Sequence, residues 1–141
     1  MMKNLTFQEK SLWLTLIAVV LTYLLYYINV MPPIDGKMLP PHIFQFAYYM
    51  GVMVIFIAIS HIAIAIKQKN TQEPVDEREK LIGLKANSIS GYILQVGIFI
   101  SIIVALIVPG NYWFIHTINF FAVLAEVINQ VQQLRLFRKG F

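Results

Sequence analysis

Cysteine is absent from the 141-residue chain, which excludes disulfide scaffolds, thiol nucleophiles and dithiol redox chemistry and leaves the redox compartment open. Charge is scarce too. Only 13% of residues are Asp, Glu, Lys or Arg, against about a quarter in soluble domains. No basic run is interleaved with aromatics, so no nucleic-acid partner is expected despite a net charge of +4. No nucleophile–base pair and no two-histidine metal motif stand out, so neither an enzyme, a cofactor nor a metal site is expected.

What the chain has instead is apolar surface: 58% of residues are hydrophobic and the mean hydropathy is +0.68. Lys10 is followed by 24 uncharged residues, Lys37 by 29 and Lys85 by 40, the last tract broken by Pro109-Gly110-Asn111. A membrane helix needs about 20 apolar residues. The expected fold is therefore all-α, an integral membrane four-helix bundle in one domain, residues 1–141, with spans near 11–31, 43–66, 87–108 and 112–134 and an inner loop at 67–86. The first span is too long for a signal core, and Tyr26-Tyr27-Ile28-Asn29 offers no small-residue cleavage site.

Orientation follows from the basic residues. With four spans, the termini and the middle loop share one side, which holds Lys3, Lys10, Lys67, Lys69, Arg78, Lys80, Lys85, Arg135, Arg138 and Lys139. The other side holds Lys37 alone. The positive-inside rule places both termini in the cytoplasm, with the basic residues as partners for anionic membrane lipids. Trp13 falls near the inner interface. Tyr26, Tyr27, Tyr48, Tyr49, Tyr112 and Trp113 fall toward the outer one, as an aromatic belt.

Two Pro-Pro pairs, Pro32-Pro33 and Pro40-Pro41, bracket the first outer loop, and Pro109-Gly110-Asn111 predicts a tight hairpin that makes the last two helices antiparallel neighbours. Gly97, Ser101 and Ala105, like Ala47 and Gly51, have the spacing of close helix packing. His42 and His116 near the outer surface lack a third well-placed ligand.

The middle loop holds Asp76-Glu77-Arg78-Glu79. Asp76 and Glu79 have capping-box spacing, and Asp76 with Lys80 is a favourable i,i+4 pair, so a short surface helix feeding the third span is expected. The same four residues are a candidate docking motif for a cytoplasmic protein partner. Asp76-Glu77-Arg78, followed by Ile82, Lys85-Ala86 and a hydrophobic span, resembles a group of small bacterial four-span membrane proteins of uncharacterised function with an Asp-Glu-Arg signature before the third span. Glu126 and the Gln-Leu-Arg-Leu-Phe-Arg-Lys-Gly ending are similar to that group as well. The resemblance implies a multi-pass protein of the bacterial inner membrane and brings no activity with it. Lys85-Ala86-Asn87 is also similar to a pattern in four-span glutathione-transferase-type enzymes, but it precedes the third span and Ser90 stands where an acid is wanted.

The strongest chemical signal is on the last helix. Tyr112, His116, Asn119, Val123, Glu126, Gln130 and Gln133 fall in an arc of about 100°. Such a face points toward an interior, a wet cavity or another protomer. Glu126 lies roughly 13 Å from Arg135 along the helix. An ionised acid at that depth costs about 3 kcal/mol unless paired, hydrated or protonated. Gln95 and His61 lie at similar depths. The expected site is thus Glu126, Gln130, Gln95 and His61, with Asn119 and His116 further out on the stripe. It would serve as interhelical glue, as a proton or cation site, or as a site for a small ligand. The leading expectation is transport or ion and small-ligand sensing by a homo-oligomer, a dimer favoured. The alternative is a membrane-anchored regulatory or scaffold protein acting through Asp76–Lys85.

Overall fold

The computed structural model describes residues 7–30, 40–67 and 77–139. These form four α-helices: α1 (Phe7–Val30), α2 (Pro40–Lys67), α3 (Glu77–Ile107) and α4 (Tyr112–Lys139). The shortest has 24 residues, about 36 Å at 1.5 Å per residue, which exceeds a hydrocarbon core of about 30 Å. All four are long and apolar enough to cross a membrane. Their outer faces are apolar: Leu24, Ile28, Phe44, Ile55, Ile59, Phe99 and Leu106 are all exposed. In water this would far exceed the apolar patches of soluble monomers, whereas in lipid it is the matching surface.

Local chemistry sets the helix ends. Pro40 and Pro41 open α2, where a missing N–H removes no helical bond. Glu77 and Glu79 lie in the first turn of α3, where carboxylates suit the positive end of the helix dipole. From there α3 runs unbroken for 31 residues, because no proline intervenes before Pro109. The surface helix and third span expected as separate pieces are one helix, so residues 77–86 of the expected loop are helical. Asp76 lies outside the described residues. Between α3 and α4, Gly110 takes φ 94°, a left-handed conformation that glycine adopts without a Cβ clash. Ile115 N–H then bonds the Asn111 carbonyl at 3.0 Å, which makes Asn111 the N-cap of α4.

The helices pack as an open row in the order α2, α1, α4, α3. The adjacent pairs touch, and α2 and α3 stand at the two ends. α1 and α2 meet at a core of Val19, Tyr23 and Tyr26, with Phe46, Tyr49, Met50, Met53 and Ile57 of α2 packed on it and Val123 and Val127 of α4 closing it. α3 and α4, the expected antiparallel neighbours, approach closely at Gly97. A Cβ there would overlap the Cβ of Phe121. Ser101 is buried beside it and donates its hydroxyl to the Gly97 carbonyl at 2.7 Å. The expected small-residue row on α3 therefore packs at Gly97 and Ser101, while Ala105 is exposed. The pair on α2 does not pack: Ala47 and Gly51 are exposed, and nothing lies within 4 Å of a Cβ at Gly51.

Candidate intramembrane polar site

α4 sits between two helices, so its faces differ. His116, Asn119, Val123 and Gln130 turn toward α1, whereas Phe121, Ala125 and Asn129 turn toward α3. Glu126 falls at the edge of the polar stripe, on an open side between the two contact faces, and is exposed. Most of the stripe is thus an interhelical joint, and its one acid is not part of that joint.

The joint is aromatic. Tyr26 and Tyr112 are fully buried and His116 is 3% exposed. The His116 ring stacks on Tyr26 at 5.6 Å between centroids and lies 4.0 Å from the Tyr112 ring. The Tyr26 hydroxyl reaches His116 Nδ1 at 3.4 Å, and the Tyr23 hydroxyl donates to Asn119 Oδ1 at 3.0 Å. Tyr26 and Tyr112 are therefore not belt anchors. Their faces are taken up by His116 and neighbouring rings rather than by the membrane interface. A cavity of about 390 Å³ beside them is lined by Tyr27, Trp113, His116, Thr117 and Phe120.

Glu126 lies in a second cleft of about 220 Å³ between α3 and α4, lined also by Asn87, Ser90, Gly91, Leu94, Ala122, Ala125 and Asn129. Gln130 Nε2 donates to Glu126 Oε1 at 2.8 Å, one turn along the helix. The Gln130 side chain is 2% exposed, and its Oε1 is buried without a hydrogen-bond partner. Beside this pair runs an amide ladder: Gln133 Nε2 donates to Asn129 Oδ1 at 3.1 Å, and Asn129 Nδ2 donates to Asn87 Oδ1 at 2.9 Å. Ser90 turns its hydroxyl onto the Asn87 carbonyl at 3.1 Å. The cleft thus gathers one carboxylate with the neutral polar groups of Asn87, Ser90 and Asn129, and buried Gln130 holds the carboxylate from the α1 side of α4. Among the described residues no three His, Asp or Glu side chains come together. Chemically, one carboxylate with amide oxygens suits a proton or a monovalent cation better than a divalent ion, which draws more charged oxygen ligands.

Of the four residues expected to meet, only Glu126 and Gln130 do. His61 is separated from them by α1, because α2 packs on α1 and not on α4. Its ring instead joins α2 to α1, with Nδ1 3.3 Å from Ser11 Oγ and Nε2 3.1 Å from Thr15 Oγ1. Thr15 already gives its proton to the Ser11 carbonyl at 3.0 Å, so its oxygen accepts from Nε2–H and Nδ1 accepts from Ser11. Gln95 is exposed on the side of α3 away from Ile82, Ala86, Gly97 and Ser101, the residues that face α4. It makes no hydrogen bond to Glu126. Equal depth along two helices does not fix which way their faces turn. In the docking segment, Glu77 and Arg78 are exposed and Glu79 is half-buried at the start of α3.

Sequence reasoning missed Asn87, Ser90 and Asn129. The signal was present: Asn87 and Ser90 lie one turn apart at the start of the third span, and Asn129 adjoins the polar arc of α4. No family model, no curated protein and no solved structure matches this chain.

Proposed function

We propose that this is a multi-pass protein of the bacterial inner membrane, with cytoplasmic termini, in which Glu126 forms a site for a proton or monovalent cation used in transport or ion sensing. The observation that carries the reading is a carboxylate exposed on a helix long and apolar enough to cross a membrane, set in a cleft with Asn87, Ser90 and Asn129 and hydrogen-bonded to buried Gln130. An acid left facing lipid costs about 3 kcal/mol, so the open side of the cleft calls for cover. A second copy of the chain supplies it in this reading. Two copies related by a twofold axis would each present the α3–α4 cleft to the other, completing a polar pathway that four helices in a row leave open. No chemistry of bond making is assigned to the site.

The test is flux in vesicles reconstituted with the full chain and loaded with a proton- or cation-sensitive dye. Wild type should respond to an imposed gradient, Glu126→Gln should not, and Glu126→Asp should respond partially. Equal flux from wild type and Glu126→Gln overturns the reading. A regulatory role through the Asp76–Lys85 segment has one observation in its favour. α3 spans about 46 Å, longer than the hydrocarbon core, so its charged start is rigidly continuous with the helix that walls the cleft. A partner bound at Glu77 and Arg78 would then move the cleft with it. Loss of that partner's pull-down on Arg78→Ala tests this second reading.

A further inference from the structure

At the basic end of the row, α1 and α4 enclose a cavity of about 400 Å³ that the Glu126 site does not use. Its walls divide by chemistry. Trp13 and Leu16 from α1 with Val131 and Leu134 from α4 form an apolar floor, and Arg135, Arg138 and Lys139 form the rim. The spacing of Val131, Arg135 and Arg138 puts an apolar position and two guanidinium groups on one helix face, the apolar one deeper in the span. The Arg138 guanidinium lies 5.8 Å from the centre of the Trp13 ring, a cation–π contact that draws this charge over the cavity mouth.

Helix-dipole complementarity accounts for basic residues in the last turn of α4. It does not account for a cavity or for an apolar floor beneath them. Among the described residues none of the three cations is given an ion pair, and Glu9, one turn before Trp13, is buried and has interactions of its own. Three cations therefore converge at one end of the row with no counter-charge given to them among the described residues.

We propose that this cavity is a binding site for an anionic glycerophospholipid, with its phosphate held by Arg135, Arg138 and Lys139 and an acyl chain laid along Leu16, Val131 and Trp13. A guanidinium pair matches phosphate oxygens in geometry as well as charge. A basic pocket between membrane helices at the interface has the form that anionic headgroups recognise. A free phosphate would satisfy the rim but leave the floor uncovered, and a zwitterionic lipid would place its own cation among the three already there.

The experiment is native mass spectrometry of the full chain in detergent, offered equal amounts of phosphatidylglycerol and phosphatidylcholine, with inorganic phosphate in a separate arm. Wild type should retain phosphatidylglycerol at least tenfold over phosphatidylcholine and be unaffected by millimolar phosphate. The triple variant Arg135→Gln/Arg138→Gln/Lys139→Gln should lose that preference, and Trp13→Ala should weaken binding of both lipids. Lys80→Gln, on a different helix end, should leave the preference unchanged. Circular dichroism verifies that each variant is helical, and Arg138→Lys, which keeps the charge and removes the planar fork, provides a milder arm with a several-fold loss. The proposal is overturned if the triple variant keeps the wild-type preference, if the two lipids bind alike, or if inorganic phosphate displaces the lipid.

Discussion

Gly97→Ala is the most discriminating change at the α3–α4 contact. Its new Cβ would overlap the Cβ of Phe121, a backbone-near atom that no rotamer change can move. Carbon atoms pack at about 3.5–4.0 Å, so the two helices must part by about 1 Å or more. Overpacking of this kind costs about 1–3 kcal/mol. The separation would be felt at buried Ser101 and Ala86, and at the Asn129–Asn87 bond in the Glu126 cleft. Three other helical glycines serve as controls, because a Cβ at Gly51, Gly83 or Gly91 meets nothing within 4 Å. Alanine at those sites should be neutral or stabilise by up to about 1 kcal/mol through helix propensity alone. Reversible unfolding in mixed micelles, followed by circular dichroism against the mole fraction of denaturing detergent, reads all four variants on one scale. A Gly97→Ala protein as stable as Gly91→Ala would refute the close approach of α3 and α4.

His61→Ala should loosen the α1–α2 joint by about 1 kcal/mol in the same assay, since it removes contacts to Ser11 and Thr15 while leaving Glu126-dependent flux intact. Tyr23→Phe removes the hydroxyl that donates to Asn119 Oδ1 and also reaches Met50 Sδ, and should cost about 0.6 kcal/mol. His116→Ala empties space among Tyr26, Tyr27 and Tyr112 and should cost about 2 kcal/mol or more, well above the exposed His61. Asn129→Leu breaks the ladder between Gln133 and Asn87 and should reduce flux with little change in unfolding.

The four helices were legible because charge spacing and apolar length are properties of the chain alone. The α3–α4 hairpin was legible because Pro109-Gly110-Asn111 leaves so few residues to turn in. The order of packing was not. Tracts of Ile, Phe, Leu and Val surround every helix, so hydrophobicity gives little indication of which face meets which neighbour. Depth alone groups His61 with Glu126, but α1 stands between them. Tyr26 was read as an interfacial anchor, yet its i,i+3 relation to Tyr23 and the polar arc on α4 describe two faces that meet. The contact of Gln130 with Glu126 was legible because the two are four residues apart on one helix, where geometry is fixed by the helix itself.

The most direct test of the central claim uses dicyclohexylcarbodiimide, an apolar reagent that modifies protonated carboxyl groups within a membrane. The wild-type chain is treated in reconstituted vesicles and the adduct is located by peptide mass spectrometry, with and without added sodium or potassium. A proton or monovalent-cation site at Glu126 gives an adduct on that residue that is absent from Glu126→Gln; suppression by sodium or potassium marks a cation as the ligand, and its lack marks the proton. No adduct at Glu126 contradicts the claim.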